Sequence, residues 1–196
     1  MSFGGHRNVS KHDGSNPSSW YQFRCGHCDT SVSGAVAASY GNAVKWLLCP
    51  NCEGGSVANL DRVDPGAPFG PRIEGLPADT GAAYEEARQS MAVHAYTGAE
   101  LICRKILMHV AVEKKAEEGK SFASYVDHLA AEGYVTPPMK PWVDVIRQHG
   151  NQAAHELDPP DKDRAESTVM FTAELLRLVY EMAHMAQKYG GKKPNP

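Results

Sequence analysis

Two sets of residues in this sequence have the types and the spacing to do chemistry. The first is four cysteines: Cys25 and Cys28 in "CGHC", and Cys49 and Cys52 in "CPNC", with twenty residues between the pairs. Each CxxC can curl into a knuckle that grips an ion from one side, and two knuckles brought together complete a tetrahedron of sulfur. Four thiolates select Zn2+, and a site closed by four ligands has no open position for a reactive water, so one ion is expected to fold its module and catalyse nothing. Disulfides and a redox dithiol are the alternatives, but a redox CxxC belongs to a βαβ context that these flanks do not resemble. His27 lies between two better ligands and is expected on the knuckle surface, while Cys103 falls in a helical pattern and is expected to pack as a small apolar residue. The second set is in "WVDVIRQHGNQAAHELDPP", residues 142–160, where Arg147, Asn151 and His155 recur at intervals of four and so stack along one helix face beside an apolar stripe of Trp142, Val145, Ile146 and Ala153. Either this polar edge meets a ligand such as nucleic acid, or Asn151 and His155 hydrogen-bond across a helical bundle and fix its register. The four carboxylates of "HELDPPDKD" favour the second reading, because they repel phosphate; Arg104 and Lys105 would offset them if an earlier helix lay alongside, and are the candidate nucleic-acid contacts.

The elements that must position these residues change character along the chain. Residues 1–19 are Gly, Ser, Asn and His with almost no apolar content, which describes a flexible arm; His6 and His12 within it are assigned no role. Residues 20–62 alternate aromatic and β-branched residues with Gly, Asn and Ser, as short strands joined by tight turns do, and a unit of that size needs a metal to complete its core. The spacing of its cysteines, with Pro50 after Cys49 and glycines after Cys52, resembles the zinc-ribbon family. Residues 63–78 carry the Pro/Gly run "VDPGAPFGPRIEGLP" and read as a semi-rigid linker. From 79 to 190 the apolar period is helical: one long helix or two up to Gly119, with Gly98 as a kink or close crossing; a short helix capped by Ser121 and stopped by Gly133; a third beginning at Pro141 and ending before Pro159; and a fourth from about Asp161 to Lys188. Residues 191–196 form a tail. The expected fold is therefore mainly α, an antiparallel helical bundle preceded by a small β zinc ribbon.

The net charge of −3 and pI near 6.3 exclude the general basic excess that drives indiscriminate binding to phosphate backbones, so any nucleic-acid contact is local. No apolar run reaches the ~20 residues of a membrane span and the first residues lack the apolar middle of a signal peptide, so the protein is expected in the cytoplasm, where closely spaced cysteines bind metal rather than pair.

The segments "AYEEAR", "AELICRKIL" and "WVDVIRQHGNQAAH", with the long final helix, resemble an uncharacterised bacterial branch of the HEPN superfamily, a branch known for an N-terminal zinc ribbon and for appearing beside restriction-type nucleases. The resemblance covers residues 79–190 and implies a HEPN-like bundle, a role in phage defence and a homodimer whose site lies across the two-fold axis. Active members are metal-independent ribonucleases with an Arg, a polar residue and a His. Carried over, His155 would move the 2′-hydroxyl proton, Arg147 would hold the phosphate and Asn151 would orient either group. The departure is at the Arg: aligned on Asn151 and His155, the motif places Gly150 there, and Arg147 lies one turn earlier.

Three function classes follow. One is a ribonuclease using Arg147, Asn151 and His155. A second is a non-catalytic adaptor that docks a larger nuclease or translocase through the ribbon or the bundle. The third is a ribbon that binds nucleic acid by stacking on Trp20, Tyr21, Phe23, Tyr40 and Trp46; these aromatics are expected to form the ribbon's miniature core instead, and five basic against four acidic residues in 1–62 leave little to attract phosphate.

Overall fold

The computed structural model describes residues 9–11, 19–152 and 159–190, with side chains over 19–147 and 159–190. The chain divides into two compact units, Met1–Pro68 and Phe69–Pro196.

The first unit is one antiparallel sheet of β1 (Val9–Lys11), β2 (Trp20–Arg24), β3 (Ser31–Tyr40), β4 (Val44–Leu48), β5 (Gly55–Asn59) and β6 (Arg62–Asp64). Strand β3 is the spine. Its first half pairs with β2 and its end with β1 on one side, while β4, β5 and β6 follow on the other. Alternation decides what is buried: in β4, Leu47 turns inward while Trp46 and Leu48 on either side of it face out. Val36, Phe23 and Ala58 meet Leu47 in a core that is completed by Cys25 and Cys49.

The second unit is helical: α1 (Ala78–Ala92), α2 (Tyr96–Glu113), α3 (Phe122–Ala131), α4 (Lys140–Gln152), α5 (Lys162–Leu176) and α6 (Met182–Tyr189), with a 3-10 turn before α4 and a π-helical stretch, Arg177–Glu181, joining α5 to α6. Helix α2 is central and packs against α1, α3 and α5. Leu107, Leu129, Ile146, Phe171, Leu175 and Leu176 are fully buried at its centre. One ion pair joins them: Glu100, with its side chain 2% exposed, accepts from Arg164 Nε at 3.0 Å and Nη2 at 2.8 Å. Residues 69–77 strap onto α1, where buried Arg88 donates to the carbonyls of Phe69 and Gly70 and Tyr84 Oη donates to that of Pro71. No helix among the described residues is long and apolar enough to cross a membrane.

The expectation of a mainly α chain, a HEPN-like antiparallel bundle with a small ribbon attached, is overturned. Six strands over Val9–Asp64 form a unit of their own, so the protein is α plus β in two units, and the helical half does not support a HEPN bundle. The β part was undercounted because β1 and β6 are held by backbone pairing, to Ala38–Tyr40 and Val57–Asn59, in stretches whose side chains carry no alternation: the arm and the Pro/Gly run. The helix stops also differ. Helices α1 and α2 are separate, and they end at His94 and Lys115, each in the left-handed region with the paired bonds of a Schellman turn (Ala95 N to Ser90 O and His94 N to Met91 O; Ala116 N to Ala111 O and Lys115 N to Val112 O), whereas α3 ends the same way on the expected Gly133. Ser121 caps α3 and Asp161 caps α5 as their sequence positions suggest.

Candidate metal centre and the Arg147 helix

The two knuckles are built alike. In "CGHCDT" the Cys25 amide donates to the Thr30 carbonyl at 2.9 Å and the Asp29 amide to the Cys25 carbonyl at 2.9 Å; in "CPNCEG" the Cys49 amide donates to Gly54 at 3.0 Å and the Glu53 amide to Cys49 at 2.9 Å. Asp29 and Glu53, each just after the second cysteine, both take left-handed backbone angles, φ 61° and φ 60°. This turn aims both thiols of a pair the same way. The first knuckle links β2 to β3 and the second links β4 to β5, so the sheet itself brings the pairs together. Gly26 is required where it stands, since a Cβ there would lie 2.5 Å from the Pro65 carbonyl oxygen.

Cys25, Cys28, Cys49 and Cys52 lie together, all four sulfurs within 4.8 Å of one another, and could hold a metal ion. Cys25 Sγ is 3.8 Å from Cys52 Sγ, and Cys28 Sγ is 3.8 Å from Cys49 Sγ, too long for disulfides. Hydrogen bonds to sulfur come from the His27 amide to Cys25 and from Asn51 Nδ2 to Cys28, both at 3.4 Å. His27 is not a ligand: its Nε2 donates to the Gly55 carbonyl at 2.8 Å, which pins the ring beside Gly54. The Asn51 amide, then the Thr30 hydroxyl, draws the Cys28 thiol down to about 5. The Gly54 N–H favours the Cys52 thiolate, but loss of water and the three neighbouring sulfurs outweigh it and leave that thiol at about 12; burial likewise pushes Cys25 up. One thiol of the cluster ionises readily while Cys25 and Cys52 resist losing their protons beside it.

Asn51, Asp29 and Glu53 were not picked out from the sequence. The repeated pattern of an acidic residue directly after each CxxC was the available signal.

The other predicted site residues are placed as follows. Arg147 lies on α4 and bridges to α3: its guanidinium pairs with Asp127 of α3 and donates from Nη1 to Asp144 at 2.9 Å. Asn151 falls in the last turn of α4 with its side chain outside the described residues, and His155 lies outside them altogether. Arg104 stacks its guanidinium 4.7 Å from the centre of the Phe122 ring, where burial lowers its pKa, and so is half engaged in joining α2 to α3. Lys105 is exposed and lines a cavity of about 330 Å³ between α1 and α2 with Asp79, Glu86, Ile102 and His109. Cys103 is fully buried, and burial pushes its thiol up to about 12. On α4, Val143 and Ile146 are buried and Trp142 meets Phe171 edge-on while donating to Ser167 Oγ at 2.7 Å; Val145, expected in that stripe, is exposed.

No curated protein and no solved structure matches this chain. A family model, described as a domain of unknown function, DUF4145, matches residues 85–192, from the middle of α1 to beyond α6, and leaves the four-cysteine cluster outside it. That match covers more than half of the 196 residues, and the chain belongs to the DUF4145 family.

Proposed function

We propose that this protein is a zinc-stabilised, non-catalytic adaptor that works in the cytoplasm beside a nuclease or translocase. Arg147 carries the reading. Its guanidinium is held by two carboxylates, Asp127 and Asp144, and a cation so neutralised offers little attraction to a phosphate whose charge grows during cleavage. Gly150 stands where the ribonuclease motif needs its Arg, so Arg147 is the nearest guanidinium in sequence, and to serve it would have to leave both partners.

Zinc fits the sulfur cluster. A tetrahedron of thiolates around an ion at about 2.3 Å has edges of about 3.8 Å, the spacing of the Cys25–Cys52 and Cys28–Cys49 pairs. Bound there, zinc would supply structural cross-linking of four strand ends and no reaction centre, since all four positions are filled by protein. The compartment must be reducing to keep these thiols available.

The test is cleavage of labelled single-stranded and structured RNA by the full chain without added metal, wild type beside His155→Ala, together with size-exclusion co-elution with a purified nuclease or translocase partner. No cleavage by either protein and a stable complex are expected. Cleavage by wild type that disappears in His155→Ala would replace the adaptor by a metal-independent ribonuclease.

A further inference from the structure

The outward face of the sheet is unlike the miniature core its aromatics were expected to form. In antiparallel pairs, directly opposed residues share a face. Trp20 is opposed to Ala35, and Ala35 to Leu48; Trp46 is opposed to Ala38 and Val57; Tyr40 is opposed to Val44. A bulge in β3 between Val36 and Ala38 brings these rows into one plane, because it shifts the pairing by a residue and so keeps Ala35, Ala38 and Tyr40 on the same side. The result is Trp20, Tyr40 and Trp46 together on one surface, 59%, 45% and 40% exposed. Tryptophan is ordinarily among the best covered residues. Here each indole stands opposite an alanine, and neither has a ring partner among the described residues.

We infer that this face is a stacking platform for single-stranded nucleic acid. Flat rings left open by small neighbours offer what an unpaired base needs on its π-face, and every base can use them regardless of sequence. The charges on the same face suit the backbone that would run across it. Arg24 follows Trp20 at alternate positions of β2, Arg62 is opposed to Asn59 in the row of Tyr40 and Val44, and Lys11 is opposed to Ala38 in the row of Trp46, so three basic residues stand against the two carboxylates, Asp29 and Asp64, that pair with the arginines. Asp29 and Asp64 anchor these arginines through Nε at 2.7 Å and 2.9 Å, which fixes their direction while leaving the side chains 49% and 61% exposed. Bases paired in a duplex are already stacked and covered, so single strands are the class that fits. An apolar protein segment fits less well, because among the described large exposed side chains of the face only Leu48 is aliphatic. The inference does not depend on the adaptor reading.

The test uses the full zinc-loaded chain and fluorescein-labelled 20-mers: oligo(dT), a U-rich RNA and a duplex of equal length, followed by anisotropy at several salt concentrations. Binding to both single strands, clearly weaker binding to duplex, and a loss of at least ~30-fold in the Trp20→Ala/Trp46→Ala variant are expected. Arg24→Gln/Arg62→Gln should weaken binding severalfold and flatten the salt dependence. These residues are exposed, and unchanged metal content and circular dichroism will certify the fold. The inference is overturned by a wild type that ignores single strands, by equal binding to duplex, by a double tryptophan variant that binds as before, or by tryptophan variants whose sole effect is loss of a protein partner. None of these outcomes bears on RNA cleavage, which tests the adaptor reading.

Discussion

Apart from Cys25 and Cys49, the sheet unit buries Phe23, Val36, Leu47 and Ala58, whereas the helical unit closes Leu107, Leu129, Ile146, Phe171, Leu175 and Leu176 away from water together with Glu100, which Arg164 pairs from the edge. The first interior is too small to offset the entropy of ordering its strands, and two of its six members are cysteines of the sulfur cluster. The second has apolar area enough to tolerate a buried, paired carboxylate. With a metal bound at the cysteines as proposed, the contrast is between two routes to stability: a coordinate cross-link where the core is thin, and hydrophobic packing where it is thick.

The comparison is broken most completely at the metal. Cys49→Ser, or chelation of the wild type, should melt the sheet unit and leave the helices intact, because apparent zinc affinities of about 10–16 kcal/mol exceed what a sheet of this size can hold by packing. The check is one zinc per chain by elemental analysis in wild type and none in the variant, with sheet amides losing protection in hydrogen exchange while helical circular dichroism persists; loss of both units together would refute the division. A smaller effect is expected in the opposite half. Glu100→Ala removes the two charge-assisted hydrogen bonds that Arg164 donates to a buried carboxylate and should cost about 1.5–3 kcal/mol of helical-unit stability in urea titration, with zinc content unchanged. The Glu100→Gln change should cost less, since it retains an acceptor.

The smallest effect is that of pH on the strap against the π-helical stretch and α6. The amide of Glu74, then Arg177, holds the Glu181 carboxyl below its usual range, and Lys188, with His184, does the same for Glu74. A carboxylate depressed in the folded state contributes its stability above the ordinary carboxylate range and loses it as pH falls through the lower folded value. Lys188 is raised by Glu74, so its share is present below the ordinary lysine value and is lost as pH rises through the higher folded one. The strap should therefore hold best at neutral pH and loosen slightly below about pH 4, seen as faster exchange of the Glu74 amide, with Glu74→Gln removing most of that dependence.

The metal centre was the most legible part of the sequence, since CxxC spacing is a local property and each knuckle is closed by bonds within six residues. Ser121, Gly133 and Asp161 were legible for the same reason, being caps whose side chain or backbone freedom acts on the adjacent turn. The Arg147 edge was legible only as a stripe. Its spacing put Arg147 in line with Asn151, but nothing local announced Asp127, twenty residues earlier on another helix, as the carboxylate that would occupy it.

The sequence by itself determined the sulfur ligand set, the helical period of the second half and most of its caps, because these depend on neighbours along the chain. Tertiary structure alone decided the rest. It added β1 and β6 to the sheet, because backbone groups pair without regard to side-chain pattern. It placed Trp20, Tyr40 and Trp46 on an open face through one bulged residue, because a shift of one position in a strand exchanges the buried face for the exposed one. And it set Arg147 between Asp127 and Asp144, bridging α3 and α4, because an ionised side chain takes the partners that folding brings within reach.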